Sequence, residues 1–291
     1  MVVQVGEMKI YQSSFEEKDV NELENLEIEL LLEGIYKICG YDFRDYNRSS
    51  IRRRLWNRVQ AERLTTISGL QEKIFHDSTC MRRLIKDFFI QVTEMFRDPE
   101  FFISFRRNVV PYLRELPVIR IWHAGCSTGE EVYSMAILLR EEGLYDKTRL
   151  YATDLNEDAI VKAKKGIVTL GKMKTYTRNY LQSGGKESFS RYYTVNGDNV
   201  IFDQTLKRNM VFTQHNLGID SSFNEFNLII CKNVLIYFNK KLQDKAHKLF
   251  LDSLSFGGFL VLGKKESIDF SPYKHKYKEI DTEEKIYIRI E

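Results

Sequence analysis

Proline is scarce, at four in 291 residues, and two of the four, Pro111 and Pro117, bracket one short stretch. The rest of the chain can run in helices and strands without its commonest breaker. Cysteine is equally sparse. Cys39, Cys80, Cys126 and Cys231 form no C-x-x-C pair and have no histidine at ligand spacing, so neither a disulfide framework nor a zinc site is expected, and no metal is assigned. Charge of one sign is not in excess, because 44 Lys+Arg against 41 Asp+Glu leaves +3. That balance argues against a dedicated nucleic-acid binder. The longest apolar run, residues 226–238, is broken by Lys232 and Asn233 and falls short of the roughly 20 residues that cross a bilayer, so no membrane insertion is expected. Residues 1–10 include Glu7 and lack the basic and apolar regions of a secretory signal. A reduced, cytoplasmic protein is expected. No G-x-S-x-G or H-E-x-x-H signature occurs, and the five histidines are scattered, which excludes the common nucleophile and metallohydrolase constellations.

What is present suits packed cores: 43% hydrophobic and 13% aromatic residues, enough for one or two domains. Charge is unevenly placed. Residues 1–33 carry nine acids (Glu7, Glu16, Glu17, Asp19, Glu22, Glu24, Glu27, Glu29, Glu33) against Lys9 and Lys18, a net of −7. Residues 44–63 carry seven arginines against Asp45 and Glu62, a net of +5. Such asymmetry marks a candidate partner surface.

From Asn21 to about Val109 the apolar spacing is helical, with Leu26, Leu30 and Ile35, then Ile51, Leu55 and Val59, then Leu84, Phe88 and Val92. Asp98-Pro99-Glu100 reads as a helix start. The expected organisation is an acidic tail over 1–20, a small all-α domain over 21–110, a linker over 111–117, and a second domain over 118–291. In the last, short β-rich runs alternate with helical ones: 119–123, 130–141, 149–153, a helix through Lys165, then 210–214, 228–231, 242–254 and 258–262. Alternation predicts an α/β, Rossmann-like, doubly wound and mostly parallel sheet. The rhythm breaks over 166–208, where residues 192–202 with Asn196-Gly197 read as a hairpin. A small β-subdomain inserted in the sheet domain is expected there.

The run 119–131 is a strand that enters Gly125-x-x-x-Gly129 and then a helix. Glycines at a strand-to-helix turn let a ligand approach the backbone. Glu130 and Glu131 at the helix start would repel a pyrophosphate, so a ligand without phosphate fits better. The second strand ends in Asp154, 25 residues after Gly129, where a carboxylate can accept two hydrogen bonds from a ribose diol. Ribose without phosphate suggests S-adenosylmethionine, whose sulfonium tolerates nearby acids. A later buried strand over 226–231 ends in Lys232 and Asn233, with Tyr237 close behind. Polar groups at such a strand end line a crevice rather than a core.

Together these runs resemble a known family. Val92-Thr-Glu-Met-Phe-Arg-Asp, Ala124-Gly-Cys-Ser-Thr-Gly-Glu-Glu-Val-Tyr-Ser, Ala152-Thr-Asp, Cys231-Lys-Asn-Val-Leu-Ile-Tyr-Phe and Gly257-Gly-Phe-Leu-Val-Leu-Gly are similar, in order, to the motifs of the chemotaxis-receptor glutamate O-methyltransferases, the CheR-type family. The resemblance spans roughly residues 25–290. It implies an S-adenosylmethionine-dependent methyltransferase that forms glutamate methyl esters on the cytoplasmic domain of chemoreceptors and releases S-adenosylhomocysteine. It also implies cofactor contacts by Gln91, Thr93, Arg97, Gly125, Glu130, Asp154, Asn216, Leu217, Lys232 and Asn233, the first three from the N-terminal domain. Gln91 and Lys232 replace the Asn and Arg common in the family; glutamine can restore one amide hydrogen bond, and lysine keeps the charge without the bidentate fork.

A glutamate acceptor is already ionised at neutral pH, so no general base is required and rate comes from positioning and water exclusion. Arg97 and Tyr237 are the candidates for steering the acceptor carboxylate. Arg48/Arg52 and Arg54/Arg58 are like-charge i,i+4 pairs that imply a compensating acid, either internal, such as segment 1–33, or a partner. The family sets its basic helix against an acidic receptor helix bundle, so these four arginines are the expected substrate contacts. Arg54→Glu with Arg58→Glu would then weaken receptor methylation alone. The inserted hairpin offers strand edges for a receptor's C-terminal tail peptide, and a monomer is expected. The alternatives are a cofactor-binding signalling module of low turnover, or a carboxyl methyltransferase acting on another acidic substrate.

Overall fold

The structure, a computed structural model, describes residues 17–89 and 92–291. Gln91 lies outside the described residues. So does most of the acidic tail. The chain divides into two compact units, 1–88 and 89–291.

The first unit holds α1 (Glu17–Cys39), α2 (Arg48–Ala61), α3 (Ile67–His76) and α4 (Ser78–Phe88). Local caps fix where the helices begin: the Asn47 side chain accepts from Ser50 N and Thr66 Oγ1 accepts from Gly69 N. The helix α1 buries Ile28, Leu31, Leu32 and Ile35, an i, i+3, i+4, i+7 stripe. Of the stripe expected on it, only Ile35 is buried, since Leu26 and Leu30 are 51% and 53% exposed. On α2, Ile51, Leu55 and Val59 are buried as expected.

The second unit begins with α5 (Pro99–Asn108) and α6 (Val110–Glu115). Here the division departs from the one expected at 110. Phe101, Phe102 and Phe105 join Ile119, Ile121 and the α/β core in one cluster, so burial ties α5 to the sheet domain. The stretch expected as a linker is largely α6, with Val110 and Leu113 buried. Val92 is exposed rather than part of a helical stripe.

The elements that follow are β1 (Ile119–Ala124), α7 (Glu130–Glu141), β2 (Thr148–Asp154), α8 (Glu157–Lys165), β3 (Ile167–Thr169), α9 (Met173–Gln182), β4 (Tyr193–Asn196), β5 (Asn199–Phe202), β6 (Met210–Gln214), β7 (Phe226–Cys231), α10 (Lys240–Ser253), β8 (Leu254–Leu262), β9 (Tyr277–Asp281) and β10 (Ile286–Arg289). Seven strands form one sheet in the order β6-β2-β1-β7-β8-β10-β9. Strands β6, β2, β1, β7 and β8 pair in parallel, whereas β10 runs antiparallel to both neighbours. The central strands β1 and β7 are buried along almost their whole length because both faces are covered. Strand order reverses at β1, which pairs with β2 on one side and β7 on the other. The carboxyl ends of β1 and β7 therefore open a crevice. The insertion forms a separate sheet, β3-β5-β4, and its hairpin turns through Gly197-Asp198 with Asn196 and Asn199 paired.

Candidate active site

The crevice is built from the segments that leave the carboxyl ends of β1, β2, β6 and β7, together with residues 92–98. After β1, Gly125 N and Cys126 N both donate to Thr153 O at 2.8 Å. This clamps the turn onto the end of β2. Gly125 has φ +85°, and a Cβ there would run into Val234 Cγ2, so glycine is needed for both conformation and space. Ser127 N then donates to Asp154 Oδ2 at 2.8 Å, and Asn156 N donates to Asp154 Oδ1 at 2.8 Å. Loss of surrounding water pushes the Asp154 carboxyl up from the ordinary aspartate range, against these backbone donors, which pull it down. His215 N donates to Asp154 O at 3.2 Å, and this bond carries Asn216 and Leu217 to the same strand end. Asn216 Oδ1 accepts from Gly218 N and its own N–H donates to Asp220 Oδ2, a closed turn that leaves Leu217 buried.

Glu130 opens α7 and is only 2% exposed. Thr128 Oγ1 donates to its Oε2 at 2.6 Å, Tyr176 OH to its Oε1 at 3.3 Å, and Lys172 Nζ lies 3.6 Å from Oε1. A carboxylate this enclosed calls for a cation.

The end of β7 is held by a residue to which the sequence reading gave no role. Glu266 is buried, and its carboxylate accepts from Asn233 N (2.9 Å), Val234 N (2.8 Å), Ile236 N (3.3 Å) and Gly263 N (2.6 Å). Burial pushes its carboxyl up, while the four donors pull it down. A Cβ at Gly263 would stand 2.6 Å from Glu266 Oε2 and 2.9 Å from Asn233 N. One carboxylate thus ties the ends of β7 and β8 together and sets Asn233, at φ +62°, in a left-handed turn. The clue in the sequence was an acid three residues after the glycine that follows β8.

Lys232 does not project freely into the crevice. Its side chain is 4% exposed, with Nζ 3.2 Å from Asp98 Oδ2 and 4.1 Å from the centroid of the Phe101 ring. Asp98 accordingly makes no side-chain cap for α5, the role its place before Pro99 suggested. Arg97 and Thr93 are half-buried and belong to the second unit rather than to the helical one. Arg97 Nη1 donates to Val92 O at 3.1 Å, and Phe96 N is anchored on Ser134 Oγ at 2.8 Å. Tyr237 is half-buried in the 3₁₀ turn Leu235–Tyr237 that follows Asn233. Among the described residues of the second unit, five non-glycines have positive φ, and four of them (Phe96, Asp98, Ser127, Asn233) lie in these loops. Such strain, of order 1–3 kcal/mol each, concentrates where a site must hold a fixed shape.

The four arginines expected to meet a substrate lie elsewhere, on α2, and their compensating acids are internal. Arg48 pairs with Glu29 at 2.6 Å, and Arg52 takes both oxygens of Glu24 at 2.6 and 3.0 Å, an acid that also accepts from Trp56 Nε1. Arg58 bonds to Asp87 and Glu62. Lys73, with Arg83 and Arg58, holds the Glu62 carboxyl down at about 2. Arg54 is 6% exposed and donates to Phe88 O at 2.8 Å. Buried Arg54 cannot meet a partner, so the Arg54→Glu, Arg58→Glu pair tests folding, not docking.

The site thus offers two carboxylates, Glu130 and Asp154, near a glycine turn, with no basic phosphate cradle at the α7 N-terminus. That donor set fits a ligand with a cationic group and a diol, which S-adenosylmethionine carries. Among the described residues no cluster of ligating side chains could hold a metal, and no helix is long and apolar enough to cross a membrane.

Comparison with known families agrees. Residues 91–286 match the family model described as CheR methyltransferase, SAM binding domain, and residues 26–89 match that of the CheR methyltransferase all-alpha domain. The chain is 48% identical over 90% of its length, and 96% of the other chain, to the Pseudomonas putida protein Cher3, itself a methyltransferase by inference only. It is 28% identical to the chemotaxis protein methyltransferases of Listeria innocua (79% of this chain, 85% of that one) and Salmonella typhimurium (80% and 81%).

Proposed function

Because the chain belongs to the CheR methyltransferase family and uses S-adenosylmethionine as its cofactor, we propose that it esterifies glutamate side chains on the cytoplasmic domain of chemoreceptors, working in the cytoplasm. The observation that carries this reading is the glycine turn at the β1 strand end, which sets the carboxylates of Glu130 and Asp154 beside it. The names of the Listeria and Salmonella relatives support a chemotaxis substrate.

S-adenosylmethionine, when bound, supplies a sulfonium methyl, an electrophile that a carboxylate can attack directly. In this reading the chain's own residues position and desolvate. Asp154, fixed by Ser127 N and Asn156 N, holds the ribose hydroxyls. Glu130 holds the cationic end, and Asn216-Leu217 flank the base. Thr93, Gly125 and Asn233 shape the walls. Lys232 contributes through its pair with Asp98, which steadies the 92–98 loop and with it Arg97. Arg97 and Tyr237 orient the incoming carboxylate, which is ionised at neutral pH and needs no base. The outer strands β3 and β4 offer open edges, with Val195 of β4 exposed, and suit capture of a receptor's C-terminal tail by strand addition.

The test is transfer of labelled methyl from S-adenosylmethionine to membranes carrying the organism's chemoreceptors, followed by alkaline release of methanol. Base-labile label on a receptor-sized band, lost in Asp154→Ala, is the expected outcome. Alkali-stable label would overturn carboxyl esterification, and cofactor binding without any label would favour a signalling module.

A further inference from the structure

Residues 162–178 hold six cations, Lys162, Lys164, Lys165, Lys172, Lys174 and Arg178, and no acid. This stretch is more one-sided than 44–63, and all six residues are exposed. Unlike the arginines of α2, four of them, Lys164, Lys165, Lys174 and Arg178, make no ion pair among the described residues. The fold wraps the stretch around the first turn of α7. Tyr133 OH donates to Ala163 O at 3.0 Å, Lys207 Nζ donates to Lys165 O at 2.5 Å, and Tyr176 and Lys172 both reach Glu130. Val161, Ile167 and Leu170 are exposed between the charges. A cationic face with interleaved apolar groups therefore borders the crevice through which a methyl acceptor must enter. The like charges of Lys164, Lys165, Lys174 and Arg178 repel one another, and a complementary anionic surface relieves that cost and raises the association rate.

We propose that the face formed by residues 162–178 docks an acidic, glutamate-bearing protein partner; the inference rests on the methyl-transfer reading above. The partner is a protein rather than a lipid surface because the face adjoins Glu130, and what docks there must deliver a carboxylate to the crevice. Compensation of α2 by Glu24, Glu29, Glu62 and Asp87 leaves that helix little charge to offer.

The test uses the full chain, the soluble cytoplasmic fragment of a chemoreceptor from the same organism, and the variant Lys164→Glu/Lys165→Glu/Lys174→Glu/Arg178→Glu. Lys172 is left intact because it contacts Glu130. Binding of the fragment and of S-adenosylhomocysteine is measured by calorimetry, alongside methyl transfer. The expected result is a loss of about 10-fold or more in fragment affinity and a matching rise in KM for the fragment, with S-adenosylhomocysteine affinity within about twofold of the parent. Should the variant lose S-adenosylhomocysteine binding, the fourfold Gln set replaces it, with a smaller loss in the same direction expected. Equal fragment affinity in parent and variant overturns the proposal. So does a defect seen only with receptors in anionic vesicles, which would assign the face to the membrane. A parent that binds the fragment through this face but never methylates it overturns the methyl-transfer reading and leaves the docking face standing.

Discussion

Glu266 shows how much one side chain can organise. Its carboxylate satisfies four backbone N–H groups at the ends of two strands, and hydrogen bonds to a charged group contribute roughly 1.5–3 kcal/mol each. Glutamine keeps one acceptor oxygen but turns an N–H₂ toward those donors. Glu266→Gln is expected to raise the dissociation constant for S-adenosylhomocysteine about 10-fold and to leave the KM for a receptor fragment within about twofold. A folded variant with unchanged cofactor affinity would refute this role. At this scale the sequence was legible for placement where a residue coincides with an element boundary, since Asp154 ends β2 and Glu130 opens α7. Pairings formed across the fold were not legible. Nothing local says that Asp98 meets Lys232, or that Glu266 reaches back 33 residues to Asn233.

The helices of the first unit argue at the scale of the element. Periodicity placed α2 and its Ile51, Leu55, Val59 stripe, but it could not say which arginines face inward. At 100° per residue Arg54 lies beside Leu55 and Ile51 on the buried face, whereas Arg53 points away. Arg54→Ala is expected to destabilise the full chain by about 2–4 kcal/mol, since it strands the Phe88 carbonyl and opens a void. Arg53→Ala should stay within about 0.5 kcal/mol. Comparable thermal shifts in the two variants would sink the assignment. The same limit explains α1, where leucines at two spacings were both eligible and packing chose Ile28, Leu31, Leu32 and Ile35.

For the molecule as a whole, the α/β order of the second unit was readable because alternating elements admit few topologies. The final antiparallel pair β9–β10 was not, because its strands are short and follow the last recognisable motif. The domain division was misplaced because the phenylalanines of α5 give the same helical signal whichever core receives them. Burial of charge-capable groups also sets the pH response. His247, 2% exposed with Nδ1 unpartnered, is held by burial at about 4, below the ordinary 6.5. The unfolded chain therefore binds the proton first. Stability is unaffected at pH 7 and falls as pH drops from about 6.5 toward 4, by at most about 1.4 kcal/mol per unit. His247→Gln should flatten that part of the profile in thermal melts at pH 7 and 5. Parallel losses in parent and variant would contradict it.

The aromatic contacts of Phe96 have a consequence for how such enzymes diverge. Phe96, next to Arg97, packs at 5.2 Å from Tyr180 and 6.1 Å from Phe189, both in the insertion, while Asn179 Nδ2 donates to Met95 O at 3.1 Å. The insertion is thus no removable appendage. Exchanging the insertion for a relative's would strip the Met95–Asp98 loop of its support unless Phe96 and its neighbours travelled with it. The insertion and the loop that carries Arg97 are then bound to change together.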